Sequence, residues 1–235
     1  MHGSQLQYFP VSLPFLLAFW GLIILLVGLA TLRLLRYASI SMGITEGALI
    51  IILGLSLLGS YINIPVARLP GHRMVSAGEI SFFGMTYIVP LVRQSQATVL
   101  AVNVGGAIIP VCLSIYLLLK HRLFVLGAVG TVFVAVVCHF LAQPVPGFGI
   151  ALPIFVPAVA TAIIAIALTR RRAAPLAYIS GSLGTLIGAD LLNLGSIQAL
   201  GAPVASIGGA GTFDGIFVTG LLAVLYAGLS RYLHD

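Results

Sequence analysis

LPFLLAFWGLIILLVGLATLRLL, residues 13–35, decides the fold class of this chain, because the only charge among these 23 positions is Arg33. A helix that crosses a bilayer needs about 20 mostly apolar residues. The apolar core of a secretory signal is shorter, about 7–15 residues, and is followed by a cleavage site of small residues, which is missing here. We therefore expect residues 13–35 to form a membrane-spanning helix of the mature protein.

The composition of the whole chain supports the same class. Hydrophobic residues make up 60% of the 235 positions, charged residues make up 7%, and the mean hydropathy is +1.17. A soluble domain carries about 25% charged residues, so this chain cannot cover a water-facing surface. The sequence predicts a multi-pass protein integral to the cell membrane and surrounded by membrane lipid. The net charge of +6 follows from basic residues at the helix ends, and we expect no nucleic-acid partner.

Apolar runs of about 20 residues predict an all-α polytopic protein with about seven transmembrane helices. All seven belong to a single transmembrane domain, residues 1–235. The predicted spans are residues 13–35, 44–61, 98–119, 123–141, 150–168, 175–194 and 210–229.

The basic residues predict the orientation of these spans. Eight of the eleven fall on one side, and the positive-inside rule makes that side cytoplasmic. The amino terminus is then outside and the carboxyl terminus inside. The eight are Arg33, Arg36, Lys120, Arg122, Arg170, Arg171, Arg172 and Arg231, and the other three are Arg68, Arg73 and Arg93.

The segment between the second and third spans has the character of strands. YINIPV (61–66) and EISFFGMTYIVP (79–90) are rich in β-branched and aromatic residues, and they flank a turn signal, Pro70-Gly71-His72-Arg73. We expect an external or interfacial β-hairpin over about residues 61–93. A short helix from Ile80 to Val92 is the alternative.

Two carboxylates inside apolar segments point to a functional site. Asp190 lies in SLGTLIGADLLNLGSI (182–197) and Asp214 in SIGGAGTFDGIFVTGLLAVL (206–225). A carboxylate within the membrane costs about 2.5–3.5 kcal/mol on insertion scales and is a functional hypothesis by default. The predicted helices, within about residues 175–232, place both groups about 9 Å below the outer surface. Two facing carboxyl groups share a proton, so one can activate a water while the other donates to a carbonyl.

Other polar and small residues are candidates to line the same site. Asn103 is predicted in the outer half of the third helix at about the depth of the aspartates, and Asn193 follows Asp190 by three residues. Each amide has an alternative role, Asn103 in a hydrogen bond between helices and Asn193 at the helix end. Gly211 and Gly215 flank Asp214 and let backbones approach closely. The histidines and cysteines show no spacing typical of a metal site, so we expect neither metal nor cofactor.

Two family resemblances are present. The segment around Asp214, GAGTFDGIFVTG (209–220), resembles the G-x-G-D motif of the presenilin and signal-peptide-peptidase intramembrane aspartyl proteases. The resemblance implies that Asp190 is the second catalytic residue and that GAPVASIG (201–208) is an extended substrate-docking segment. The nearest match to that family's Pro-Ala-Leu signature is ALPI (151–154), which implies that Leu152 and Pro153, on the predicted fifth helix, line the site. The whole chain also resembles a prokaryotic family of predicted membrane proteins, domain of unknown function 1614.

Three functional classes are compatible with the sequence. The first is an intramembrane aspartyl protease that hydrolyses single-span membrane proteins or peptides with Asp190 and Asp214. The second is a proton- or cation-coupled transporter that uses the same pair, with Asn103 as a further ligand. The third is a scaffold in which the two carboxylates only bond helices together. We favour the protease.

Overall fold

The structure, a computed structural model, describes residues 13–69, 73–82, 85–94, 98–145, 149–153, 155–197, 204–209, 220 and 222–225. Within them, the α-helices are α1 (Leu13–Met42), α2 (Glu46–Gly59), α3 (Ile109–His121), α4 (Phe124–Leu141), α5 (Phe155–Leu168), α6 (Ala173–Thr185) and α7 (Leu194–Ile197). The strands are β1 (Asn63–Leu69), β2 (Arg73–Phe82), β3 (Met85–Gln94), β4 (Thr98–Asn103), β5 (Gln143–Val145), β6 (Gly149–Ala151) and β7 (Val204–Ile207).

Long apolar helices dominate the architecture. Within the described residues, four helical stretches are long and apolar enough to cross a membrane: Leu16–Met42, Val104–His121, Phe124–Leu141 and Ala173–Ser196. The helices α2 and α5 are apolar but shorter. These are the helices of a membrane protein, as the composition predicts. Most of the predicted span 210–229 lies outside the described residues; Gly220 and residues 222–225 are helical.

The central element is α6. All of its residues except Leu183 are buried, because small side chains let its neighbours approach closely. A Cβ atom added at Gly184 would lie 2.6 Å from the Cβ atom of Val134 on α4. One added at Gly188, just beyond α6, would lie 2.2 Å from the carbonyl oxygen of Ala135. Glycine is thus required at both positions for α4 to pack as it does.

Basic side chains hold three helix connections together at one end of the bundle. The Lys120 ammonium donates to the carbonyl of Gly43, and the His121 Nε2 atom lies 3.0 Å from the Met42 carbonyl oxygen. Arg172 donates to the His121 carbonyl at 2.8 Å. The α1–α2, α3–α4 and α5–α6 connections therefore meet at one end. The strand β1 follows the opposite end of α2.

The strands between α2 and α3 form two antiparallel ladders. The first and last of these four strands, β1 and β4, form one ladder, and the two strands between them in the sequence, β2 and β3, form the inner ladder. The strand β7 pairs with β4 in parallel, which gives a three-stranded sheet in the order β1-β4-β7. Strands in this region are as predicted, and the alternative helix is wrong. The expected turn falls on residues 70–72, which lie outside the described residues; β1 and β2 do not pair with each other, since each pairs with a later strand. The inner ladder closes between Phe82 and Met85.

Two predicted helix starts are also wrong. Residues 98–103 form β4 rather than the first turns of the third helix, because TVLAVN pairs with β1 on one side and β7 on the other. Short apolar runs cannot be assigned to helix or strand from periodicity alone. Residues 149–151 pair with β5, so α5 begins only at Phe155.

Candidate functional site

Asp190, the first of the two candidate carboxylates, lies where the helix that contains α6 loses its regular form. A π-helical turn, Leu186–Asp190, follows α6, and a single 3₁₀ turn, Leu191–Asn193, follows the π turn. The predicted span over residues 175–194 lies within the helical stretch Ala173–Ser196, whose form changes from α to π and then to 3₁₀ before Leu194. The amide of Asn193 donates to the carbonyl oxygens of Gly188 and Ala189, at 2.9 and 3.0 Å. Asn193 thus satisfies backbone groups at the break, and its amide nitrogen is directed to the backbone rather than to Asp190.

The carboxylate of Asp190 is bound to the end of β7. Its Oδ2 atom accepts a hydrogen bond from the backbone N–H of Gly208 at 2.8 Å, and the side chain is partly buried. Gly208 and the next residue, Gly209, have φ angles of +87° and +88°. Glycine adopts this left-handed region without the steric cost that a Cβ atom brings. The glycine pair therefore turns the chain after β7 so that one amide faces the carboxylate.

A second π-helical turn, Val104–Ile108, begins directly after β4 and leads into α3. Asn103 caps this turn: its Oδ1 atom accepts from the N–H of Gly106 at 2.7 Å. Its Nδ2 atom donates to the Ser60 carbonyl at 2.7 Å and to Asn63 Oδ1 at 3.0 Å. The predicted place of Asn103 on a helix is wrong: it is the last residue of a strand, fully buried and bonded on both sides of its amide.

The two π turns share one small apolar core with β7. Ala107 comes from the turn before α3, Leu186 from the turn after α6, and Ile207 from β7. A Cβ atom added at Gly208 would lie 2.6 Å from the backbone nitrogen of Ala107, so the end of β7 and the π turn before α3 are in direct contact. π turns are rare and are frequently found at functional sites. Two of them therefore support β7 and the carboxylate that it binds.

Sequence reasoning missed part of this polar site. The hydroxyl of Ser206 on β7 donates to Asn63 Oδ1 on β1, so Asn63, Asn103 and Ser206 link the three strands of the sheet. Nothing in the sequence pairs Asn63 with residues 40 and 143 positions away. The Gly208-Gly209 dipeptide was a readable signal, because consecutive glycines often mark backbone that other residues cannot adopt.

The other predicted site residues lie apart or outside the described residues. Asp214, Gly211 and Gly215 belong to the part of the chain that is not described. Leu152 and Pro153 lie in an irregular stretch between β6 and α5, not on the fifth helix as predicted. In the described ranges, no group of three or more His, Cys, Asp or Glu residues could hold a metal ion.

Comparison with models of known protein families shows to which family this chain belongs. The model of the family "Protein of unknown function (DUF1614)" matches residues 57–226, which is well over half of the sequence. The chain belongs to the DUF1614 family. The match spans both aspartates, both π turns and the strands between α2 and α3 of this DUF1614 protein. No curated protein and no solved structure matches it, and the resemblance to presenilins remains a hypothesis.

Proposed function

We propose that this DUF1614 protein is an intramembrane aspartyl protease in which Asp190 and Asp214 form the catalytic dyad. The proposal includes about seven spans with the amino terminus outside, and an active site in the outer half of the membrane. The basic connections at the α1–α2, α3–α4 and α5–α6 turns then face the cytoplasm, in line with the positive-inside rule. The strands between α2 and α3 lie on the outer side or in the interface.

The observation that carries the proposal is the hydrogen bond between Asp190 and the N–H of Gly208. It joins an intramembrane carboxylate to the end of β7, and β7 is at the edge of the three-stranded sheet formed with β1 and β4. A membrane-spanning substrate hides its peptide bonds within a helix, and a protease must bind it in an extended form. An edge strand can bind such a segment through main-chain hydrogen bonds. A peptide added to β7 would run towards Asp190.

The proposed hydrolysis requires that one of the two carboxyl groups, Asp190 and Asp214, is ionised while the other is protonated. Asp214 follows Gly208 by six residues in the sequence, so the segment that β7 leads into carries the second carboxylate. When two carboxyl groups are close, only one ionises readily and the pair shares a proton. The ionised group accepts a proton from an attacking water, and the protonated group donates to the scissile carbonyl oxygen. The C–N bond then breaks: the carboxyl group that took the water proton gives it to the leaving amine, and a hydroxyl of the diol intermediate returns a proton to the other carboxylate, which restores the singly protonated dyad.

The test uses purified protein in liposomes with a panel of single-span peptides. Asp190→Asn and Asp214→Asn should each reduce cleavage to the uncatalysed background, and the double variant should be no worse, because the two residues act as one unit. Folding should survive in Asp190→Asn, since the amide oxygen can still accept from the Gly208 N–H. Glu46→Gln is the matched control: Glu46 is exposed, paired with Arg36 at 3.1 Å, and lies at the other end of α2. This control should cleave at the rate of the original protein.

A coupled transporter is the second candidate. The observation that favours it is the broken helix at Asp190, because transporters build ion sites from discontinuous helices at membrane depth. The same liposomes separate the two functions. Uptake driven by a pH gradient and lost in Asp190→Asn, together with no aspartate-dependent peptide product, would reject the protease in favour of the transporter.

A further inference from the structure

A groove of about 440 Å³ lies between α2 and α3, and Asp190 is not among the residues that line it. One face of each helix contributes to it, and the connection between α1 and α2 closes one end. The lining residues that matter for its chemistry are Ala48 and Ile52 on α2 and Ile109, Leu113, Tyr116 and Lys120 on α3. The volume is within the range of pockets that bind small ligands, about 300–1,000 Å³.

The groove is polar at one end and apolar along the rest of its length. Lys120 and Tyr116 form the polar end: the ammonium donates to the tyrosine hydroxyl at 3.1 Å and lies 5.3 Å from the ring centre. Both side chains are exposed. Ile52, Ile109 and Leu113 line the remainder. A ligand that fills the groove must therefore have one charged or polar group and a hydrocarbon tail.

The length of the groove matches one leaflet of a bilayer. Ile109 and Lys120, at its two ends, are eleven residues apart, which corresponds to about 16 Å along a helix. Half of the hydrocarbon core is about 15 Å. One acyl chain can therefore lie along α3 from the membrane interface to the middle of the bilayer.

The charge around the polar end favours an anion. Among the described residues, the acidic side chain beside this end of the groove, that of Glu46, is paired with Arg36 at 3.1 Å. Lys120 bears a positive charge and uses one of its contacts on a neutral carbonyl, that of Gly43. Arg172 is also at this end, on the carbonyl of His121. The described residues therefore give the polar end a net positive charge, which would attract a phosphate group.

We propose that the groove between α2 and α3 binds one anionic phospholipid, with its phosphate at Lys120 and one acyl chain along Ile52, Ile109 and Leu113. A soluble phosphate would leave the apolar length of the groove unfilled. A zwitterionic lipid would bring a second, positive group towards Lys120. The proposal does not depend on the function of Asp190.

The test is native mass spectrometry of the full chain, titrated with phosphatidylglycerol or with phosphatidylcholine of the same acyl chains. We expect one phosphatidylglycerol to bind about fivefold more tightly, the usual effect of one cation near an anionic headgroup. Lys120→Gln should remove this preference. Arg171→Gln, which removes an exposed charge from the same end outside the groove, should keep it.

A second pair of variants tests the apolar part without changing charge. Ala48→Phe fills the groove from α2 and should abolish the tight phosphatidylglycerol site. Ile51→Phe introduces the same aromatic side chain at a position that is 62% exposed and outside the lining, and it should bind lipid normally. Three results would each overturn the proposal: equal affinity for the two lipids, equal losses in Lys120→Gln and Arg171→Gln, or full displacement of the lipid by inorganic phosphate.

Discussion

Replacing Gly208 with alanine tests how β7 is held against Asp190. The backbone at Gly208 has a φ angle of +87°, and an alanine there costs about 1–2 kcal/mol in strain. The new Cβ atom would also lie 2.6 Å from the Ala107 nitrogen and 2.8 Å from the carbonyl carbon of Gly106. These are backbone atoms, which cannot rotate away, so the end of β7 must shift.

The shift should break the hydrogen bond to the Asp190 carboxylate, which is 2.8 Å long. Hydrogen bonds to charged groups contribute about 1.5–3 kcal/mol. Together with the backbone strain, this gives an expected loss in the free energy of unfolding of roughly 2.5–5 kcal/mol. The assay is unfolding in micelles with increasing sodium dodecyl sulfate, followed by circular dichroism.

Gly195→Ala is the matched control, because a Cβ atom there meets nothing within 4 Å and the position is part of the short helix α7. Its free energy of unfolding should change by no more than about 1 kcal/mol, in the stabilising direction that helix propensity favours. If Gly208→Ala were as stable as Gly195→Ala, the contacts of β7 with Asp190 and Ala107 would not hold the strand, and the reasoning would be refuted.

Two further substitutions probe other contacts that support the site, with the same unfolding assay. Gly188→Ala should lower the free energy of unfolding by about 1–3 kcal/mol, because the new Cβ atom overpacks against the Ala135 carbonyl. Its control is Gly54→Ala, where nothing lies within 4 Å of the new Cβ atom, so the free energy of unfolding should stay the same or rise. Asn103→Ala removes three hydrogen bonds of a fully buried amide and should lower the free energy of unfolding by about 2–4 kcal/mol. Hydrogen exchange at the Gly106 amide should also become faster. Ser114→Ala, which removes one buried hydrogen bond within its own helix, should cost clearly less; equal costs would contradict the role given to Asn103.

The sequence predicts the apolar helices well because membrane insertion depends mainly on composition. The helix predicted over 123–141 is Phe124–Leu141, and that over 44–61 is Glu46–Gly59. Sequence pattern fails where tertiary pairing decides the conformation. TVLAVN (98–103) is as apolar as the start of a span, but two neighbouring strands give its backbone better partners, so it forms β4.

In the candidate site, too, composition predicts part of the arrangement and tertiary pairing decides the rest. The cost of a charge within the membrane singles out Asp190 from the sequence alone, and the structure places it in a helix break. Its partner, the Gly208 N–H, comes from a backbone group 18 residues away, and no side-chain pattern marks which amide a carboxylate will reach. Asn63 was missed for a related reason: its partners, Asn103 and Ser206, are on strands that meet only after the chain has folded.

The β1–β4 ladder and the β2–β3 ladder are separated by the same number of positions on both sides, and this spacing determines how the segment between α2 and α3 can vary in length. One arm of the segment contains β1 and β2, and the other contains β3 and β4. Leu69 pairs with Thr98, and Arg73 pairs with Gln94, four positions further in on each arm. Insertions or deletions of equal size on the two arms therefore preserve every pairing of β1 with β4. A change of one residue on one arm would turn the side chains of that strand to the opposite face. The arms can thus lengthen or shorten together, while the strand that carries Asn103 and supports β7 stays in register.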